Sequence, residues 1–286
     1  MGNDPTLQSH YAILDRGDAE RERLNQQFYF YKKWQGRNLI IDPGATIPPD
    51  GAVLDAATGT GAWILSLAKE LPSSVSLYAV DLAPTLWRPS EAPPNIHYTL
   101  SSVTSLPKDW TAKFDLVNQS LLTVALKATD WPLDIAELYR VTKPGGHVQL
   151  VEVTGIPSSN KPLEGTNADI FHQLWLRIKE KGGYMTGAQS HLPRMLEEAG
   201  FQDVSVQIKP APKLGRRFGG EDGVEALDNT TKSLRAIKDL VLLNDGFGMA
   251  KDENEYDALL EEFVKEAEMQ VLYGLEMCLV CARKPV

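Results

Sequence analysis

Short apolar runs recur along this chain, bounded by glycine, proline or polar residues. Runs of this kind are typical of buried strands. The runs that we predict to be strands lie at 52–56, 75–81, 96–100, 114–118, 147–153, 204–209 and 275–283. Between the early runs, apolar residues recur at helical spacing, as from Ile64 to Leu71. This alternation predicts an α/β fold with a mostly parallel sheet and helices on both faces.

Two helical segments lie outside that alternation. Residues 21–31 read as a helix rich in aromatic side chains, and residues 214–272 contain two helical patterns. No Gly/Ser linker or repeat marks a second unit, so we predict a single domain over 1–286. Its predicted parts are an N-terminal helical cap (1–45), a cofactor-binding core (46–209), a helical lid insertion (210–272) and the last strand (273–286).

A glycine turn follows the first strand and is the strongest indication of a ligand site. Gly59 and Gly61 remove side chains where the backbone turns sharply and where a ligand lies against bare peptide. Asp81 ends the next strand, at about the twenty-residue spacing of a ribose-binding carboxylate. A dinucleotide fold prefers a small residue three positions after Gly61, but Ile64 stands there. NAD or FAD is therefore the minor interpretation.

At these residues the sequence resembles the class I S-adenosylmethionine-dependent methyltransferases, and more narrowly the fungal small-molecule methyltransferases. The loop Thr58-Gly-Thr-Gly61 followed by Trp63 matches the loop of that family. Other landmarks follow in the family's order: Val80-Asp-Leu-Ala-Pro84, Pro93-Pro-Asn95, Phe114-Asp-Leu-Val117 and Leu138 to Val148. The resemblance covers about 21–206 and the last strand. It implies a Rossmann-like, seven-stranded fold, S-adenosylmethionine as cofactor, and helical additions that cover the substrate pocket.

Two positions depart from the family pattern. Ala57 replaces the first glycine of the loop, and Ser102 replaces an acidic residue that binds the adenine amino group in the family. An alanine is a small intrusion, and a serine still forms hydrogen bonds. Because losing the charged acceptor costs on the order of 1 kcal/mol, we expect weaker cofactor binding rather than a different cofactor.

The resemblance assigns cofactor contacts to the carboxyl ends of the strands, where ligands bind in such sheets. The expected contacts are Asp55, Ala57, Gly59 and Gly61 for the methionine part, Asp81 for the ribose, Leu82, Ser102 and Val103 for adenine, and Asn118, Gln119 and Ser120 near the methyl group. Gln27 on the N-terminal helix is a further expected contact.

His172 is the candidate general base, on a helix expected to follow the fifth strand. A lone histidine beside an apolar stripe is also typical of a packing residue, and His191 and Glu152 are open alternatives. His147 is expected at the far end of its strand, away from the ligand. A sulfonium methyl is already activated, so aligning the acceptor and excluding water are the main requirements, and an amine acceptor needs no base.

Composition and charge limit the classes of ligand and the location that we expect for this protein. The formal net charge is -9 and no Lys/Arg cluster is present, which argues against nucleic-acid substrates. No apolar run approaches the roughly twenty residues of a membrane span, and the N-terminus lacks a secretory apolar core, so we expect a cytoplasmic protein. Cys278 and Cys281 are expected to be core residues rather than a metal or redox pair, and no metal site is predicted.

The sequence thus predicts an S-adenosylmethionine-dependent O- or N-methyltransferase for a small, largely apolar metabolite, in fungal secondary metabolism by resemblance. Three alternatives stay open. One is a methyltransferase-fold cyclase or pericyclase, suggested by Ala57 and Ser102. The others are a regulatory protein that transfers no methyl group and a nicotinamide oxidoreductase. The sequence does not distinguish a monomer from a homodimer.

Overall fold

A computed structural model describes residues 17–36, 38–156 and 158–286, without the side chain of Ser158. Its sheet has seven strands in the order β3-β2-β1-β4-β5-β7-β6. The strands are β1 (Ala52–Ala56), β2 (Ser76–Asp81), β3 (Ile96–Leu100), β4 (Phe114–Ser120), β5 (Thr142–Gly155), β6 (Gln202–Lys209) and β7 (Glu276–Arg283). Strand β7 is antiparallel to both of its neighbours, and the other pairings are parallel. The predicted mostly parallel α/β sheet is confirmed.

Eight α-helices are present in the described part of the chain. They are α1 (Asp18–Gln35), α2 (Ala62–Leu67), α3 (Trp131–Val141), α4 (Asn167–Gly182), α5 (Ala188–Glu198), α6 (Arg216–Ala236), α7 (Lys238–Leu242) and α8 (Glu253–Met269). None of these helices combines the length and apolar character that a membrane span requires. Residues 1–16 of the predicted N-terminal cap lie outside the described residues.

The two faces of the sheet are covered by different helices. Leu54 and Val117 point to the face where α3 and α5 pack, whereas Val53 and Leu116 point to the face of α2. This split follows from the alternation of side chains along a strand. On β7, Cys278 and Cys281 are both buried and free.

Helices α4, α6, α7 and α8 share a core of their own, separate from the two sheet cores. Phe171 of α4 lies 5.7 Å from Tyr256 and 5.5 Å from Phe263, measured between ring centroids. Helix α8 turns its apolar face inward as its sequence predicts, with Tyr256, Leu260, Phe263 and Ala267 buried. Helix α1 packs on α6 and, with this second core, forms a roof over the carboxyl ends of the central strands.

Candidate functional site

A cavity of about 430 Å³ lies between the carboxyl ends of β1, β2 and β4 and the helical roof. Its floor is the glycine loop and the strand ends, and its upper wall comes from α1, α4, α6 and α8. This is the edge of an open α/β sheet at which ligands bind. The topology therefore places a cavity where the sequence predicts a ligand.

The glycine loop leaves bare backbone against that cavity. Gly59 has φ +57, and a Cβ built on it would meet nothing within 4 Å. Ala57 also adopts a left-handed conformation, with φ 58, although it carries a side chain. Gly61, with φ 81, precedes the first residue of α2, and a Cβ there would lie 3.2 Å from the Tyr98 hydroxyl. Gly59 thus opens space for a ligand, whereas Gly61 serves the turn and does not line the cavity.

Asp55 is the buried centre of a hydrogen-bond network under the loop. Its carboxylate accepts from Thr58 Oγ1 at 2.5 Å and from Asn118 Nδ2 at 2.7 Å. Asn118 Oδ1 in turn accepts from Gln149 Nε2 at 2.8 Å, and Gln149 also donates to the Leu39 carbonyl at 2.8 Å. Burial raises the pKa of Asp55 to about 7, against the opposing effect of these donors. A cationic ligand group in the cavity would favour the ionised form.

Asp81 joins the end of β2 to the loop. Its Oδ2 accepts from the Gly59 amide at 2.8 Å and its Oδ1 from the Ala83 amide at 2.9 Å. These contacts hold the carboxylate at the cavity wall beside Leu82. Ser102 lies on the same wall, where its hydroxyl is 2.8 Å from that of Thr104.

Most of the residues expected at the site line this one cavity. They are Gln27, Asp55, Ala57, Gly59, Asp81, Leu82, Ser102, Val103, Asn118, Ser120 and His172. Gln119 and Gly61 do not. Because neighbouring residues of a strand point to opposite faces, Gln119 points away and its Nε2 donates to Asp134 Oδ2 at 2.8 Å. Gln27 lies at the roof, with Nε2 3.3 Å from Ser233 Oγ of α6.

His172 is buried on α4 at the cavity wall, and its Nε2 has no hydrogen-bond partner among the described residues. Burial, followed by the charge of Lys161, lowers the pKa of His172, so the imidazole is neutral at pH 7. Of the alternative bases, Glu152 is buried outside the cavity lining and His191 is exposed on α5. His147, whose Nδ1 lies 2.8 Å from Asp42 Oδ2, is also outside the lining.

Sequence reasoning missed several lining residues on α1. Glu20, Arg23 and Tyr31 line the cavity together with the expected contact Gln27, and the spacing of three to four residues among these four is that of one helix face. Arg23 donates to Glu20 at 2.6 and 2.7 Å. Burial raises the pKa of the Tyr31 hydroxyl, which bonds to Asn229 of α6. The helical period was a usable signal, but it does not tell which face of α1 meets the cavity.

The cavity has a second, apolar region that we call the apolar chamber. We define it by five lining residues: Tyr31, Leu121 and Trp175, which pack on one apolar cluster, and Phe171 and Phe263, which belong to the core shared by α4, α6, α7 and α8. His172 of α4 lines the same cavity. The acidic groups Asp55 and Asp81 lie at the loop end instead. The site therefore combines a polar pocket for a charged, nucleoside-sized ligand with a chamber for an aromatic or aliphatic ring system.

Comparisons with known proteins agree with this geometry. A family model described as a methyltransferase domain matches residues 53–146. The chain is 34% identical over 213 residues to the N-methyltransferase sirN of Leptosphaeria maculans, which covers 74% of this chain and 73% of that protein. It is 30% identical over 255 residues to the methyltransferase grgD of a Penicillium species, covering 83% of this chain and 85% of that protein.

The fold also matches solved structures. Phosphoethanolamine N-methyltransferase 2 of Haemonchus contortus, in complex with S-adenosyl-L-methionine, superposes with a TM-score of 0.53. The match covers 92% of this chain and 57% of that one at 17% sequence identity, so it supports a shared fold.

Proposed function

Since the chain belongs to the class I S-adenosylmethionine-dependent methyltransferases, we propose that it methylates a nitrogen atom of a small, uncharged, ring-bearing metabolite in the apolar chamber. The choice of nitrogen is supported by the name of the relative sirN, which is an N-methyltransferase. The choice of an uncharged, ring-bearing acceptor is supported by the aromatic and aliphatic lining of the chamber. The cyclase, regulatory and oxidoreductase alternatives are not favoured by the comparisons.

The residues at the loop end fit the cofactor. We assign its methionine part to the open space beside Gly59 and its amino group to Asp55, since both residues line the cavity. We assign the ribose hydroxyls to Asp81 and adenine to Leu82, Ser102 and Val103, which line the same cavity. Arg23 and Lys32 also line the cavity, where Arg23 is paired with Glu20 and Lys32 lies 3.6 Å from Glu70. When bound, S-adenosylmethionine supplies an electrophilic methyl group.

The chain's own residues orient the acceptor and exclude water. The roof of α1, α4, α6 and α8 covers the chamber, and Asn118 and Ser120 border the cavity at the end of β4. Holding a nucleophile in line with a reactive methyl group is the main source of rate enhancement in such a transfer. The enclosure lowers the local dielectric and removes competing water.

His172 is the residue that we propose to receive the acceptor's proton. A neutral imidazole accepts a proton at a ring nitrogen. His172 lines the cavity, and its buried Nε2 has no hydrogen-bond partner among the described residues. A weakly acidic N–H group, such as that of an amide, requires this step, whereas a neutral amine does not. The substitution His172→Asn should therefore lower kcat by about 10²-fold or more for an amide acceptor and little for an amine.

The proposal includes the organisation of the chain. The domain division is a cap over 1–45, a cofactor-binding core over 46–209, a lid over 210–272 and the last strand over 273–286. We also propose that the protein acts in the cytoplasm on small molecules. Whether it works as a monomer or a homodimer is to be measured by light scattering.

The test has two arms. Calorimetric titration with S-adenosylhomocysteine should give micromolar binding that Asp81→Asn weakens. Asp203→Asn, which changes an exposed carboxylate of the edge strand β6, should leave the affinity unchanged. Incubation with labelled S-adenosylmethionine and a panel of neutral ring compounds bearing an amide, an arylamine or a phenol should then transfer label to nitrogen. Binding without any labelled product would refute the acceptor class, and no binding would refute the proposed cofactor site.

A further inference from the structure

Leu121, directly after β4, has an unusual backbone conformation. Its φ is 62, in the left-handed region that a leucine adopts at a cost on the order of 1 kcal/mol or more. Its amide donates to the Val151 carbonyl at 2.8 Å, so the strained residue is still held to the neighbouring strand. Strain of this kind persists only where surrounding contacts enforce it, and it is often found at functional sites.

The conformation decides where the Leu121 side chain goes. Ser120 lines the cavity, so regular alternation would send residue 121 to the opposite face of the sheet. Instead, Leu121 lines the chamber and packs on the same apolar cluster as Tyr31 and Trp175. The next residue, Leu122, also borders the cavity but is buried in the core of the other face of the sheet. The left-handed turn therefore adds a wall to the chamber beside Ser120 and Asn118.

Glu152 of β5 holds the two amides that follow this turn. Its Oε1 accepts from the Leu122 amide at 2.8 Å and its Oε2 from the Thr123 amide at 3.0 Å. Glu152 is 0% exposed and does not line the cavity. Hydrogen bonds to a buried carboxylate are stronger than neutral ones, and two of them offset a strain of the size expected at Leu121.

The groups around Glu152 come from three further elements. Lys179 of α4, Cys278 of β7 and Asp134 of α3 each interact with it electrostatically. Lys179 Nζ donates to the Met185 carbonyl at 3.0 Å and lies 5.6 Å from the centroid of the Trp175 ring, and Lys179 does not line the cavity. Burial raises the pKa of Glu152 to about 7, and the amides of Leu122 and Thr123 act in the opposite direction.

We propose that Glu152 is a positioning residue for methyl transfer: its carboxylate fixes the turn after β4 so that Leu121 forms the chamber wall that sets the acceptor against the methyl group. The role in methyl transfer rests on the proposed function. The two hydrogen bonds that Glu152 accepts from the Leu122 and Thr123 amides, which we call the Glu152 clamp, are a property of the fold and can be tested without an acceptor.

The experiment compares Glu152→Gln with Glu137→Gln in the full chain. Glu137 is a matched control, because its Oε2 also accepts from a loop amide, that of Leu106 at 2.7 Å, away from the chamber. The readouts are hydrogen exchange of the peptide spanning 118–126, and the affinities for S-adenosylhomocysteine and for the neutral fluorophore N-phenyl-1-naphthylamine. We expect Glu152→Gln to speed exchange of that peptide about tenfold. The same substitution should lower the affinity for the fluorophore several-fold more than the affinity for S-adenosylhomocysteine. Glu137→Gln should change neither the exchange of that peptide nor the ratio of the two affinities.

A double-mutant cycle with Leu121→Gly tests whether Glu152 acts through the turn. Glycine adopts the left-handed region freely, so Glu152→Gln should speed exchange much less in the Leu121→Gly background. Equal effects in both backgrounds, or equal loss of the two affinities, would overturn the proposal. If Glu152→Gln does not fold, two other measurements test the proposal. It requires slow exchange of the Leu122 and Thr123 amides in the wild type and a lower affinity for the fluorophore in Leu121→Gly, and the opposite result in either would overturn it. Absence of methyl transfer with an intact clamp would instead count against the proposed function.

Discussion

Ala57 shows how one residue can depart from a family pattern without removing the site. The position requires φ near +58, which explains why a glycine stands there in the family that the sequence resembles. Alanine accepts this conformation at a cost of roughly 1 kcal/mol and still lines the cavity. The loop is therefore built in the expected shape but carries stored strain.

Relieving that strain gives the first prediction. Ala57→Gly should raise the free energy of unfolding by up to about 1 kcal/mol, because the relieved strain exceeds the added flexibility of glycine in the unfolded chain. Its affinity for S-adenosylhomocysteine should be equal or tighter. Urea unfolding and calorimetry measure the two quantities. Ala56→Gly, at the fully buried preceding position in β1, should destabilise instead. A less stable Ala57→Gly would contradict the strain argument.

The Gln119–Asp134 pair shows what the pattern of residues alone does not reveal. The sequence suggests a cofactor contact for Gln119, but its amide meets Asp134 on the opposite face. Two oxygens of this pair, Gln119 Oε1 and Asp134 Oδ1, are buried without partners among the described residues. Burial raises the pKa of Asp134 to about 8, which favours the protonated acid.

Replacing the acid by its neutral isostere gives the second prediction. In Asp134→Asn, the side-chain amide can donate to Gln119 Oε1 and cannot ionise. Between pH 5 and 8 the wild type loses stability as pH rises, because its folded state retains a proton that the unfolded chain has lost, and the Asn variant does not. The free energy of unfolding of the variant should therefore rise relative to that of the wild type by up to about 1.4 kcal/mol per pH unit. Urea unfolding across that range measures the difference. Asp109→Asn, at an exposed position before β4, controls for the loss of a carboxylate. A constant difference with pH would argue against a buried proton on Asp134.

At the scale of elements, the sheet was predictable from sequence and the roof only in part. The sequence pattern marked all seven strands. Continuous apolar stretches identify the buried parallel strands such as β1 and β4, whereas β6 is an exposed antiparallel edge strand with alternating residues. Within β4, the sequence did not show that the Gln119 side chain points away from the cavity, because the face to which a strand residue points depends on the register of the strand. The packing of α1 on α6 could not be predicted either, because it joins residues far apart in sequence: Gln27 and Ser233 are separated by 206 positions. Helical period identifies a helix but not its neighbour.

The separate core of the roof supports the third prediction. Phe263→Ala removes a buried ring that packs on Phe171, a change that costs about 3 kcal/mol or more in a packed core. Because this core is distinct from the sheet cores, hydrogen exchange should accelerate in α4, α6 and α8 far more than in the strands. The affinity for S-adenosylhomocysteine should change less than threefold, roughly 0.6 kcal/mol. Lys265→Ala, at an exposed position of α8, is the matched control. Uniform acceleration across the sheet would show that roof and sheet unfold together.

At the scale of the whole molecule, three buried carboxyls make stability depend on pH in an unusual direction. The pKa of Asp55 is raised to about 7, that of Asp134 to about 8 and that of Glu152 to about 7. In the unfolded chain these groups ionise near pH 4. Between pH 4 and 7 the folded protein therefore holds protons that the unfolded chain has lost, and its stability falls as pH rises. His172 opposes this, because its lowered pKa reduces stability as pH falls below 6.5.

The balance of these effects gives the last prediction. The free energy of unfolding should be greatest near pH 4 to 5 and should fall by at least about 1.4 kcal/mol per unit between pH 5 and 7, the equivalent of one proton, because three carboxyls outweigh one histidine. Repulsion within a chain of net charge -9 acts in the same direction, but 0.5 M salt screens it and should leave most of the decline. Urea titrations at each pH, with and without salt, separate the two causes. A decline that salt abolishes would assign the pH dependence to the surface, whereas a decline that persists and is reduced in Asp134→Asn assigns it to the buried carboxyls beneath the site.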